Sequence, residues 1–167
     1  MRNRCLKIFL FFVCAFNFNS LALGQIKTEV AGFNLGEMGL YDCAVHFKEL
    51  DNDYLRYETG DRMHLSGNNI RYAGVIWNSL VLSLLENKLE RMQFNYTPEG
   101  YSIAHDCFEK LVAAFDNKYG ELKTYDSTNV VMYRDQYVSV LLAIDSDKND
   151  VSLTYTYTYK PQIGDGI

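Results

Sequence analysis

Residues 97–120, TPEGYSIAHDCFEKLVAAFDNKYG, form the one long stretch of clean helical periodicity in this chain. Wound at about 3.6 residues per turn, Ile103, Ala104, Cys107, Phe108, Leu111, Ala114, Phe115 and Tyr119 fall on one half of the cylinder. Ser102, His105, Asp106, Glu109, Asp116 and Asn117 fall on the other half. Pro98 suits a first helical turn, and Gly120 suits the left-handed residue after a helix end. A helix with one apolar half needs a surface to cover. The segments on both sides alternate like strands, so the pattern predicts a helix packed across a sheet.

The remaining elements follow the same two periods. Leu40, Cys43, Ala44, Phe47 and Leu50 recur at three and four residues, which predicts a short amphipathic helix over 38–50 with Cys43 central on its apolar stripe. Short strands are expected over 54–59, 62–65 and 70–75, separated by Gly60-Asp61 and Gly67-Asn68-Asn69. Residues 77–85 and 89–97 read as a hairpin, in which Met92, Phe94 and Tyr96 alternate with Arg91, Gln93 and Asn95. Beyond the long helix, 129–133 and 137–144 form a second hairpin. The run 151–159 is the most regular strand: Val151, Leu153, Tyr155, Tyr157 and Tyr159 share one face, and Ser152, Thr154, Thr156 and Thr158 the other. Residues 25–37 read as a lead-in strand or loop.

The first 24 residues read as a signal peptide. Arg2, Arg4 and Lys7 precede an apolar run from Ile8 to Phe16, and Ala22-Leu23-Gly24 supplies small residues at −3 and −1. That run is far shorter than the roughly 20 residues that span a bilayer. Cleavage is expected before Gln25, leaving a single domain over 25–167, with no transmembrane anchor and a periplasmic or secreted location. Loss of Arg2, Arg4 and Lys7 leaves 13 basic against 21 acidic residues, a formal −8 in place of −5. Such a balance repels phosphate backbones and argues against nucleic acid as a partner. Thirteen tyrosines against two prolines point to a sheet-rich fold rather than a disordered chain. Cys43 and Cys107 are the only thiols left after cleavage, which in an exported chain predicts one disulfide between them.

The chain then divides into two halves of similar plan, about 33–97 and 98–160, each a helix followed by an antiparallel meander. Asp42-Cys43 and Asp106-Cys107 occupy comparable places in the two helices. The expected fold is α+β, with two amphipathic helices on one face of a curved antiparallel sheet of about seven or eight strands. Leu35-Gly36-Glu37-Met38 before the first helix, and Asn117-Lys118-Tyr119-Gly120-Glu121-Leu122 leaving the second, resemble segments of small exported bacterial proteins. In plan the chain is similar to the β-lactamase-inhibitor-protein-like fold. That resemblance implies a tandem helix-plus-meander architecture, while no residues here match an inhibitory contact with a β-lactamase and the N-terminal cysteine of the related lipoproteins is absent.

Constellations that could carry chemistry are few. Cys43, His46, His105 and Cys107 are the residue types of a zinc site. His105 and Cys107, however, stand two positions apart on a helix, about 160° around it, and face one metal poorly. Asp145, Asp147 and Asn149 alternate as in the start of a calcium loop, but Asp150 replaces the glycine of the sharp turn and Thr156 the bidentate glutamate. His46, His64 and His105 are scattered, with no serine in a nucleophile turn and no cofactor motif. The expected function is therefore a non-catalytic binding or inhibitor-like module whose partner is a protein or an envelope component. Tyr155, Tyr157, Tyr159, Thr154 and Thr156 form the candidate surface. The alternative is a calcium-binding protein or a hydrolase using 145–150 or the histidines.

Overall fold

A computed structural model describes residues 25–50 and 55–158. Residues 1–24, where a signal peptide is expected, and Tyr159 lie outside these described residues. A two-residue pair, β1 (Glu29–Val30) and β2 (Phe33–Asn34), precedes helix α1 (Leu40–Leu50). Four strands follow: β3 (Leu55–Thr59), β4 (Arg62–Tyr72), β5 (Val75–Leu85) and β6 (Lys88–Tyr96). Helix α2 (Tyr101–Tyr119) then leads into β7 (Lys123–Asp126), β8 (Val130–Arg134), β9 (Val138–Asp145) and β10 (Asp150–Tyr157). The fold is α+β and mostly sheet. Eight strands form one antiparallel sheet in the order β3-β4-β5-β6-β10-β9-β8-β7.

Tight turns set the registers of the meanders. Ala73-Gly74, with φ of 50° and 78°, and Glu86-Asn87, with 50° and 61°, are two-residue links with both central residues left-handed. Such turns match the right-handed twist of the strands they join. Ala73-Gly74 has no strong sequence signature, and it turns the chain inside the strand expected over 70–75, so that β4 ends at Tyr72 and Val75 opens β5. The separate strands expected at 62–65 and 70–75 are one strand, β4, and Gly67-Asn68-Asn69 is absorbed as a register irregularity between Ser66 and Ile70 instead of turning the chain. The short strand β7 is a further addition to the expected elements.

One face of the sheet is core. Met63 and Leu65 of β4, Leu80 and Leu82 of β5, Met92 and Phe94 of β6, Val151 and Leu153 of β10, and Val140 and Leu142 of β9 are all buried. Helix α2 lies chiefly on β9 and β10. Its Phe115 ring stands 5.9 Å from Tyr133 and 6.4 Å from Tyr155. The buried stripe of α2 is Ala104, Phe108, Leu111, Phe115 and Tyr119, narrower than the expected half-cylinder, and Ile103 is 53% exposed. Gly120 is also corrected: at φ −55° and ψ −35° it continues the helix into a 3-10 turn, Gly120–Leu122, rather than closing it left-handed.

The lead-in segment contributes to the core. Ile26, Val30, Phe33 and Leu35 are buried, and full burial of such side chains is worth about 1.5–3 kcal/mol each. The Ile26 N–H donates to Asp135 Oδ2 at 2.7 Å, the Gly36 N–H to the Leu89 carbonyl at 2.7 Å, and the Leu89 N–H to the Met38 carbonyl at 2.7 Å. The two bonds of Leu89 tie the approach to α1 onto β6, and the Ile26 bond ties the start of the lead-in segment to the link between β8 and β9. Cys43 of α1 is buried within the same hydrophobic core.

Candidate binding face of the sheet

The second face of the sheet is accessible, and backbone pairing arranges its side chains in rows across the strands. One row runs Ser66, Ser79, Asn95, Ser152, Ala143, Val130, through successive partners on β4, β5, β6, β10, β9 and β8. The next runs His64, Val81, Gln93, Thr154, Leu141, Met132, and the third Arg62, Ser83, Arg91, Thr156, Ser139, Arg134. Cross-strand partners point to the same side, so each row is a continuous strip of one face. Gln93 Nε2 donates to Asn95 Oδ1 at 2.7 Å, and Asn95 Nδ2 donates to Ser79 Oγ at 3.0 Å. This chain of amide bonds holds the middle of the face in a fixed arrangement.

The expected candidate surface is divided between the two faces. Thr156 is half-exposed on the accessible face, while Thr154, flanked by Gln93 and Leu141, is down to 9% exposure. Tyr155 is 2% exposed on the core face, where its hydroxyl lies 2.9 Å from that of Tyr72. Burial pushes its phenol well above the ordinary value, and the neighbouring Tyr72 adds to the shift. Tyr157 is half-buried against Gly36, where a Cβ would come within 2.7 Å of the tyrosine ring. Tyr155 and Tyr157 are thus packing residues and no aromatic platform, because alternation places them beneath the elements that cover the core.

Cys43 and Cys107 are both free thiols, so the expected bond between the helices is absent from the structure. Burial, with the Asp42 charge adding to it, pushes the Cys43 thiol up to about 11, and burial also raises Cys107. The histidines keep separate company. His46 stands edge-on to Phe33, with centroids 4.6 Å apart, and its Nε2 is 3.4 Å from the Ala31 carbonyl. His105 stacks obliquely on Tyr101 and lies 4.0 Å from Glu109, while His64 sits in the middle row of the accessible face. Among the described residues, no three His, Cys, Asp or Glu side chains gather as a metal site would require.

The 145–150 segment is a self-contained turn. Asp145 Oδ1 accepts the backbone N–H groups of Asp147 and Lys148 at 3.1 and 3.3 Å, and its Oδ2 is 3.1 Å from Lys148 Nζ. The hydrogen bond from Lys148 holds the Asp145 carboxyl below the usual range. Asp150 pairs with Asp145 across β9 and β10 and accepts the Thr97 hydroxyl at 2.5 Å. The accessible face therefore has an acidic end, at Asp145 and Asp150, and a basic end, at the arginine row.

A second polar cluster secures the core side. Tyr133 donates its hydroxyl to Asp116 Oδ1 at 2.8 Å, and Lys123 Nζ reaches Asp116 at 2.7 Å and Asp126 at 2.9 Å. Burial alone would raise the Asp116 carboxyl. The hydrogen bonds from Lys123 and Tyr133 outweigh it and hold the group below its ordinary value. The cluster pins the C-terminal end of α2 to β7 and β8.

No family model, curated protein or solved structure matches this chain. Sequence reasoning did not identify the arginine row or the amide chain. Alternation along each strand places Arg62, Arg91 and Arg134 on one face of its own strand. Which residues stand beside them depends on cross-strand register, which no local pattern contains.

Proposed function

We propose that this protein is an exported, non-catalytic binding module, inhibitor-like in plan, that holds a protein or envelope component on the accessible face of its sheet. One observation carries the reading: three rows of side chains, mixed polar and apolar in two and wholly polar from Arg62 to Arg134 in the third, run in register over six strands of that face, while the alternate positions make the core. Export rests on the basic and apolar segments of residues 1–24. The reading includes two helix-plus-meander units joined at β6–β10, with both helices on the core face. Element order supports this, since each helix precedes four strands and the outermost strands, β3 and β7, each open a meander. The likeness to the β-lactamase-inhibitor-protein-like fold belongs to this proposal at the level of plan.

Among the described residues, no three His, Cys, Asp or Glu side chains gather to support the alternative of a calcium-binding or hydrolytic protein. Both carboxylate oxygens of Asp145 are engaged within the turn itself. The test is a comparison of two blocking variants in pull-downs from the cell envelope. Ser152→Trp places a bulky ring in the middle of the accessible face, and Lys110→Trp does so on the exposed side of α2. Loss of a captured partner with Ser152→Trp alone is the expected result. Loss with Lys110→Trp alone would move the binding surface to the helices and overturn the proposal.

A further inference from the structure

Of the five arginines in residues 25–167, three stand in one row of the accessible face: Arg62 on β4, Arg91 on β6 and Arg134 on β8. All three are exposed, and among the described residues none makes an ion pair or side-chain hydrogen bond. The positions between them are Ser83, Thr156 and Ser139, hydroxyl side chains that are half-exposed. Lys88, paired with Leu85 one step beyond the row, adds a further exposed cation. A concentration of unpaired positive charge is unexpected in a chain with a formal charge of −5.

We propose that this row docks an extended acidic peptide segment of the partner, lying across the strands. The proposal rests on the accessible face being the binding surface. Strands are spaced about 4.8 Å apart, which sets Arg62 and Arg91 about 10 Å apart, Arg91 and Arg134 about 14 Å apart, and the whole row at about 24 Å. A single small anion can bridge the first pair but cannot reach Arg134. An extended peptide advances about 3.3 Å per residue, so seven or eight residues span the row. Its carboxylates suit guanidinium groups, which bind them in bidentate fashion, and the intervening hydroxyls can donate to or accept from its backbone. The opposite end of the face carries Asp145 and Asp150. An acidic segment is therefore held to the arginine end, and a long polyanion meets repulsion from the rest of the surface.

Fluorescence anisotropy with a labelled octaglutamate peptide and the full chain without residues 1–24 tests this. Octaglutamine serves as the neutral control, and heparin octasaccharide and inorganic sulfate as competitors. Octaglutamate should bind where octaglutamine does not, and more weakly as salt rises. Arg62→Gln, Arg91→Gln and Arg134→Gln should each weaken it about two- to fivefold, as exposed ion pairs do, and the triple variant roughly tenfold or more. Arg71→Gln, an exposed arginine of β4 outside the row, should leave binding unchanged. No binding of octaglutamate, or equal binding by the triple variant, overturns the inference. So does binding of heparin through the row without binding of the peptide, or sulfate binding that needs only Arg62 and Arg91. If the triple variant still captures a partner that Ser152→Trp loses, the acidic segment is refuted while the binding face stands. If neither variant affects capture, both fail.

Discussion

Gly36 is where the lead-in segment, β6 and β10 meet, and its replacement by alanine should be among the most costly single-atom additions to this protein. Two separate costs apply. Its φ is +81°, a left-handed conformation that costs a residue with a Cβ about 1–2 kcal/mol. The added methyl would also stand 2.7 Å from Tyr157 Cε1 and 2.8 Å from its Cζ, an overlap of the kind that costs about 1–3 kcal/mol. Together the loss should be about 2–5 kcal/mol, large against a typical domain stability of about 5–15 kcal/mol. Gly74→Ala is the internal control. Its φ is +78°, but nothing lies within 4 Å of where its methyl would stand, so only the backbone cost applies. Urea denaturation followed by circular dichroism should show Gly36→Ala with the lower midpoint at an unchanged slope. The second change Tyr157→Ala should cost less in the Gly36→Ala background than in wild type, because there it also removes the overlap. Equal midpoints for the two glycine variants would refute the close approach of Tyr157, and with it the docking of the lead-in segment on β10.

Further outcomes follow from the burial and charge described above. Leu153→Ala should cost about 2–5 kcal/mol and Thr156→Ala under about 0.5 kcal/mol in the same denaturation assay, because these strand positions face core and solvent respectively; equal costs would reverse the sheet. Asp116 has a folded-state pKa below its ordinary 3.8. The stability it contributes is therefore complete above that ordinary value and is lost as pH falls through the lower folded one. Asp116→Asn should flatten the fall of melting temperature in that acid range, and an unchanged pH profile would exclude the contribution. In native protein at pH 8, iodoacetamide should label half-exposed Cys107 before buried Cys43, whose thiol is pushed up to about 11. Mass spectrometry would read the order, and equal rates would refute it.

Local periodicity alone determined much of this architecture. The alternation of residues 151–159 placed Val151, Leu153 and Tyr155 on one face, and that face is buried, because a strand's side chains alternate whatever it pairs with. The three- and four-residue spacing of 101–119 located α2 for the same reason, and the alternation of 89–97 beside 77–85 marked the hairpin that turns at Glu86-Asn87. Features that depend on distant residues were decided only by the tertiary structure. The extent of the apolar contact of α2 depends on how β9 and β10 meet it, which left Ile103 exposed on a helix that reads as apolar there. Tyr157 looked available for a partner until the lead-in segment, more than a hundred positions earlier, brought Gly36 against its ring. The two thiols matched by position in their helices, yet each is free, since pairing is a matter of distance and direction in space. The arginine row shows the same division. Each arginine's face follows from its own strand, while its place beside the others follows from six strands in register, an arrangement fixed by turns, bulges and the burial of the opposite face.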